Sequence, residues 1–251
     1  MLLDQRRSGV LEIIEQKGFA SLRQIADEIS VSESTIRRDL EYLESIGQIR
    51  RTRGGAAYVG ESLSGFDDRR NLALREKQRI GRYVADLIGP GETIILDGGT
   101  TTLEVARHLA GKSLQIVTNS LPIVNHLVSV PDIELIFLGG YLYPKTGVAL
   151  GALTVAALKQ IQARRLIMGV GGITEAGLFN SNSLLVEAEQ QMMDSADEVI
   201  LVADSSKFGH SEFARLCGLD RIHRVVVDAG LSPFWNERIR EFGIELITVD
   251  E

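Results

Sequence analysis

The sequence predicts an α/β chain in two parts. A small N-terminal winged helix-turn-helix unit occupies residues 1–58, a linker follows at 59–75, and a larger, mostly parallel, Rossmann-like sheet domain fills 76–251. Three observations predict this. Apolar residues recur at helical spacing through the first 46 positions. Arginines then gather around a Gly-Gly turn. From residue 93 onward, short apolar runs alternate with helical stretches, the pattern of parallel strands covered on both faces.

In the N-terminal part, Val10, Leu11 and Ile14 share one helical stripe, and Gly18 offers a stop. Ser21 followed by Gln24 is a capping-box start for a short helix carrying Leu22, Ile25, Ala26 and Ile29. Ser30-Val31-Ser32 reads as a tight turn, with Ser32 the N-cap of the next helix. That helix, about 33–46, is divided by face. Ile36, Leu40, Leu43 and Ile46 lie on one side; Ser34, Arg37, Arg38, Glu41 and Ser45 lie on the other. A helix that enters the major groove needs this division, with its back in a core and its N-terminal residues free for bases and phosphates. After Gly47, the run from Ile49 to Ala56 reads as a β-hairpin wing whose Arg50, Arg51 and Arg53 would lie along phosphates.

Bulk properties bound the reading. Hydrophobic residues make up 44% and charged residues 24%, as in ordinary globular chains. Residues 1–60 hold nine basic and nine acidic side chains, so the remainder carries the whole net charge of −7. Local clustering of arginine matters more than this sum, because phosphate neutralisation is local. One cysteine, Cys217, excludes an internal disulfide and suits a reducing, cytoplasmic setting. The four histidines have no metal-ligand spacing, and no run is long and apolar enough for a membrane span. No metal, cofactor or membrane partner is expected.

In the C-terminal part the predicted strands are 93–96, 115–118, 133–138, 166–170, 199–203, 225–227 and 245–249. Ligands of parallel sheets bind at the strands' carboxyl ends, so the residues that follow each strand are the informative ones. After the first come Asp97, Gly98, Gly99, Thr100, Thr101 and Thr102, opening a helix. Small residues let backbone N–H groups approach an anion, and a helix start favours it. Asn119 and Ser120 follow the second strand, Gly139-Gly140 the third, Gly171-Gly172 the fourth, and Asp204-Ser205-Ser206-Lys207 the fifth. Small and polar groups at five strand ends, one with a lysine, suit a phosphate-plus-hydroxyl ligand. No G-x-G-x-x-G follows the first strand, which argues against a dinucleotide.

The run from Val31 to Leu40 with its Thr-Ile-Arg-Arg-Asp-Leu core, followed by Leu43, Gly47, Ile49 and Arg53-Gly54-Gly55-Ala56, resembles the N-terminal domain of the DeoR family of bacterial transcription regulators. The 97–102 run, Thr118-Asn119-Ser120, Gly139-Gly140, Gly171-Gly172-Ile173, Glu187 and the run from Asp204 to Gly209 resemble that family's sensor domain. The resemblance implies that Ser34, Thr35, Arg37 and Arg38 face operator DNA. It also implies a sensor similar in fold to ribose-5-phosphate isomerase, with phosphate on Gly99–Thr102 and with Asn119, Gly171, Gly172 and Lys207 near it. The implied protein is a repressor of a carbohydrate operon, responsive to a phosphorylated sugar and acting as a homodimer or homotetramer. The alternative is an isomerase-like enzyme fused to a DNA-binding head. Against it, Gly169 to Thr174 offer no carboxylate where such isomerases carry acids.

Overall fold

The computed structural model describes residues 3–17, 19–45, 49–52, 54–58 and 66–250. Gly18, Ile46, Gly47, Arg53 and residues 59–65 of the expected linker lie outside them. The chain divides into two compact units, Met1–Gly65 and Phe66–Glu251.

The first unit runs α1 (Leu3–Lys17), β1 (Phe19–Ser21), α2 (Leu22–Ile29), α3 (Glu33–Ser45), β2 (Ile49–Thr52) and β3 (Gly55–Tyr58). The three strands form an antiparallel sheet in the order β1-β3-β2, which is a winged helix-turn-helix. The capping box forms as the spacing predicts. Ser21 N–H donates to Gln24 Oε1 at 2.9 Å, and the Ser21 hydroxyl accepts from Gln24 N–H. Ser30 ends α2 in the left-handed region at φ 60°, which turns the chain sharply into α3. Val10, Ile14, Ile25, Ile36, Leu40, Leu43 and Ile49 close the core. Each such fully buried aliphatic side chain contributes about 1.5–3 kcal/mol relative to exposure.

One polar contact crosses this core. The Asp39 carboxylate of α3 is 1% exposed and accepts from Arg6 Nε at 2.6 Å and Arg6 Nη2 at 3.1 Å, both from α1. Arg7 adds a longer contact at 3.4 Å and lies 3.6 Å from the centroid of the Tyr42 ring. A buried carboxylate needs such partners, and the pairing fixes α3 against α1.

The second unit begins with α4 (Phe66–Asn71) and α5 (Leu74–Leu87). Here the structure differs from the sequence reading, which placed residues 66–75 in a linker. Phe66 N–H donates to the Lys145 carbonyl, and the buried Lys77 ammonium donates to the Arg69 carbonyl at 2.8 Å, so α4 is tied to its own unit. A seven-stranded sheet follows, built from β4 (Thr93–Leu96), β5 (Leu114–Thr118), β6 (Ile133–Phe137), β9 (Ala163–Met168), β12 (Ala196–Val202), β14 (Arg224–Asp228) and β15 (Glu245–Val249). All its pairings are parallel, in the order β15-β14-β12-β9-β4-β5-β6. The chain builds outward from β4 through β5 and β6, then returns to β9 on β4's other side. The topological switch point therefore lies between β4 and β9.

Alternate strand residues face opposite layers. Ile95, Val117, Leu166, Met168, Val199, Leu201 and Val225 pack on one side with α8 (Ala152–Leu158), α9 (Ser183–Asp194) and α10 (Pro233–Glu241). Ile94, Leu96, Ile116, Ile167, Ile200 and Val226 pack on the other with α5, α6 (Thr100–Ala106) and α7 (Leu121–Leu127). Two small antiparallel pieces complete the unit: the hairpin β7 (Tyr141–Tyr143) and β8 (Val148–Leu150), and a sheet of β10 (Gly172–Thr174), β11 (Gly177–Asn180) and β13 (Ala214–Cys217). Near the strand starts, Arg165 pairs with Glu92 and Glu198, and Arg224 pairs with Glu198 and Glu245. No helix among the described residues is long and apolar enough to cross a membrane.

If Asp39 holds α3 to α1, Asp39→Ala lowers the urea midpoint of the first unit and leaves the second unit's transition in place. Tryptophan emission from Trp235 follows the second transition, and far-ultraviolet dichroism follows both.

Candidate functional site

The helix-turn-helix presents its polar face as the sequence predicts. Ser32, Ser34, Arg37 and Arg38 are exposed and Thr35 is half-buried. The Ser32 hydroxyl accepts from Thr35 N–H and lies 2.9 Å from both the Ser34 and Thr35 hydroxyls, which organises the start of α3. Arg37 and Arg38 form no ion pair among the described residues. Arg50 lies on β2 opposite Ala57, and Arg53 lies outside the described residues.

Arg51 departs from expectation. Its Nε lies 2.6 Å from Glu44 Oε2, its Nη1 lies 3.0 Å from Glu41 Oε1, and its backbone N–H donates to Glu44. Hydrogen bonding from Arg51 holds the Glu44 carboxyl below the usual carboxylate range. The sequence reading placed this guanidinium along a phosphate. In the structure two carboxylates of α3 compensate it, so it latches β2 to α3. Leu22, Arg37, Leu40, Glu44, Arg51 and Thr52 line the groove between that helix and the wing.

In the second unit, parallel pairing brings all the strand ends to one edge. Asp97, at the tip of β4 beside the switch point, is 3% exposed and accepts a long hydrogen bond from Gly169 N–H at 3.4 Å. Gly99 is the N-cap of α6, and Thr100, Thr101 and Thr102 form its first turn, where helix N–H groups have no intrahelical partner. The Thr102 hydroxyl donates to the Gly99 carbonyl at 3.0 Å, so it braces the loop. Gly98 has a packing reason, since a Cβ there would run into Val148. At the tip of β5, Asn119 and Ser120 are buried. Asn119 Nδ2 donates to the Ala149 carbonyl at 3.0 Å, and Ser120 caps α7 by accepting from Ile123 N–H.

The other residues expected at the effector site have structural settings of their own. Gly171 and Gly172 lie where a Cβ would meet Glu212 and the His210 carbonyl, so close chain packing accounts for both glycines. Glu187 is exposed on α9; its neighbour Glu189, one turn from Leu185 and Met192, is the buried one. Lys207 is buried in the 3-10 turn Ser205–Lys207 after β12, two strands along the sheet from β4.

The sequence reading also missed residues that the fold delivers. Asn180 Nδ2 donates to Glu189 Oε1 at 2.5 Å, while Glu189 Oε2 is buried with no hydrogen-bond partner among the described residues. Asn119 Oδ1, Asp204 Oδ2, Thr146 Oγ1 and the Arg69 Nε and Nη2 atoms are likewise buried and unsatisfied. Buried polar atoms are normally paired, so a set of such atoms at the strand ends fits a site made for a polar ligand. Arg69 of α4 faces the Asp97 carboxylate electrostatically and also repels Lys145 of the β7–β8 turn. Two cations therefore approach the switch point, with Lys145 also beside the Glu212 carboxylate.

Asp97 and Glu189 titrate as a pair. Burial pushes the Asp97 carboxyl up to about 6, against the lowering effects of the Gly98 and Gly169 N–H groups and Arg69. Burial and the Asp97 charge push Glu189 well above the ordinary range, against Asn180. A raised carboxyl pKa means that the folded chain holds a proton the unfolded chain releases. This stability is present below about pH 4 and is lost as pH rises through about 6. Glu189→Gln removes the like charge, so thermal melts should show a smaller loss over this interval and a higher melting temperature than the parent above pH 6. For the head, Arg51→Ala should weaken DNA binding without changing the slope of log affinity against log salt. A decrease of roughly one unit in that slope would mean a phosphate contact instead.

Residues 6–62 match the DeoR-like helix-turn-helix domain, and residues 73–229 match the DeoR C-terminal sensor domain. The glycerol-3-phosphate regulon repressor of Escherichia coli K12 is 35% identical over 228 residues, covering 90% of each chain. The HTH-type transcriptional repressor GlcR of Bacillus subtilis is 30% identical over 253 residues, covering 100% of this chain and 98% of the relative. In part of its length the chain is also similar to ribose-5-phosphate isomerase A of Methanocaldococcus jannaschii. That likeness has TM-score 0.40 and 16% identity over 54% of this chain and 55% of the other, too slight to bear on function. A winged helix-turn-helix with an exposed arginine face, a parallel-sheet sensor unit and matches along almost the whole length make this chain a DNA-binding transcription regulator of the DeoR family.

Proposed function

We propose that the chain represses a carbohydrate-metabolism operon, binding a two-fold operator as a homodimer or homotetramer and changing affinity when a phosphorylated sugar occupies the second unit. One observation carries the effector reading most directly. The start of α6 and the unsatisfied Arg69 guanidinium approach the same switch point, and an oxyanion would satisfy both. The phosphate end of the site then comprises Gly99, Thr100, Thr101 and Arg69, with Lys145 at its mouth. Asp97, Asn119 and Glu189 receive the rest of the ligand, and Lys207 lies farther along the edge. The names of the relatives, among them a glycerol-3-phosphate regulon repressor and a putative aga operon repressor, support this class of regulon.

The head at residues 1–58 reads the operator through Ser32, Ser34, Thr35, Arg37 and Arg38, with Arg50 and Arg53 on phosphates. Operator affinity responds to the ligand through the connection between the two units. A ligand can act through such a joint only by preferring one arrangement of the heads, with a typical coupling of about 1–3 kcal/mol. The protein works in the cytoplasm and turns over no sugar phosphate. Glu175, the first carboxylate after the Gly169–Thr174 run, is exposed and paired with Arg238, so that run supplies no base of its own to the site.

Fluorescence anisotropy with labelled DNA from upstream of the neighbouring genes tests this. Arg37→Ala should weaken binding by about tenfold or more. Arg69→Ala and Thr101→Ala should bind DNA as the parent does, yet lose the response to a phosphorylated sugar. An operator affinity that no sugar phosphate alters would refute the sensor reading.

A further inference from the structure

The segment 209–213 passes over the glycine pair that follows β9. Gly209 turns the chain in the left-handed region at φ 86°, and its N–H donates to the Ile173 carbonyl at 2.8 Å. The chain then lies so close that a Cβ on Gly172 would run into the His210 carbonyl, and one on Gly171 would stand 2.8 Å from Glu212 Cγ. His210 and Ser211 are exposed and Phe213 is 84% exposed, whereas Glu212 is half-buried with its stem against Gly171. Asn180 Oδ1 flanks the same Gly171 position at 3.3 Å, and Asn180 holds Glu189. From there the Glu212 carboxylate acts on Lys145 of the β7–β8 turn. Burial and the Arg69 charge hold the Lys145 ammonium below its ordinary range, and Glu212 opposes them. Arg69 in turn lies within electrostatic reach of both Lys145 and Asp97. The glycine pair thus makes room for a strap that brings a carboxylate to one of the site's two cations.

We propose that Glu212 is a built-in anion that competes with the ligand's phosphate for Lys145, so that the strap sets how much phosphorylated ligand the sensor needs. The inference rests on the reading of the site as a sensor of phosphorylated sugars and adds what a ligand must displace to enter. A phosphate dianion offers an ammonium more charge than the single carboxylate it replaces, and it offers more acceptor oxygens. A neutral hydroxyl offers no charge, so the exchange favours anionic ligands only. Such a competitor lowers apparent affinity by the fraction of molecules in which the cation is free. A contact held about nine-tenths of the time costs about tenfold.

The test is isothermal titration of the full chain with inorganic phosphate, and with glucose 6-phosphate and glycerol 3-phosphate alongside. Glu212→Gln keeps the length of the side chain and removes its charge, and it should tighten phosphate by about tenfold. In a Lys145→Ala background phosphate should bind more weakly, and adding Glu212→Gln should recover less than about twofold, because the cation that both anions seek is gone. A gain of the same size with and without Lys145 would mean that Glu212 acts by general repulsion of anions, which overturns the proposal. Unchanged or weaker phosphate binding in Glu212→Gln also overturns it, since the carboxylate would then be a support of the loop. If none of the three compounds binds the parent or either variant, the sensor reading itself falls. Binding that is indifferent to Glu212 removes only the inference drawn here.

Discussion

A parallel sheet delivers every strand's carboxyl end to the same edge, and the strand order decides where along that edge a crevice opens. In this chain the order places β4 and β9 at the reversal, with Asp97 at the tip of one and Gly169 at the tip of the other. Other site features depend on that placement. The acidic pair exists because α9, packed against β12, brings Glu189 within electrostatic reach of Asp97. The cations approach because α4 is fastened to the β7–β8 turn and to Lys77. A Rossmann-like order alone names no ligand. The ligand chemistry comes from which polar atoms the edge leaves without partners.

The seven strands of the large sheet are legible because each carries a run of β-branched and aliphatic residues, buried on both faces in the inner strands and only partly in the edge strands β6 and β15; two were predicted with their observed limits, 93–96 and 245–249. The hairpin β7–β8 and the β10-β11-β13 sheet are not legible in this way. Their strands are three or four residues long and hold glycine, tyrosine and polar residues. Arg69 escaped notice because a six-residue helix rich in charge resembles a linker, and its anchors lie on Lys77 and Lys145, far from it in pattern. Glu189 was within reach of a closer reading. It falls in the apolar stripe of α9 with Leu185, Val186, Met192 and Met193, whereas Glu187 lies two positions back, about 200° around the helix.

The head shows how a count of arginines misleads. Arg6, Arg7 and Arg51 answer carboxylates of α3 and build the unit, while Arg37 and Arg38 are exposed and pair with no acid among the described residues. The difference lies in which acidic residues fall opposite them. Asp39, on the buried side of α3, takes the α1 arginines. Glu41 and Glu44, on the flank toward the wing, take Arg51. Helical periodicity separates these flanks, but only the folded wing shows which arginine meets which acid.

The ion pairs near the strand starts bear on the sheet as a whole. Arg165 and Arg224 are each held between glutamates of neighbouring strands, so the charges there are already matched within the protein. An ion arriving at that rim meets groups with partners and has little to gain by staying. The opposite rim keeps atoms whose hydrogen-bonding capacity is unfilled. The sheet thus has a chemical front and back: among the described residues, one rim is neutralised from within and the other keeps polar atoms with capacity to spare.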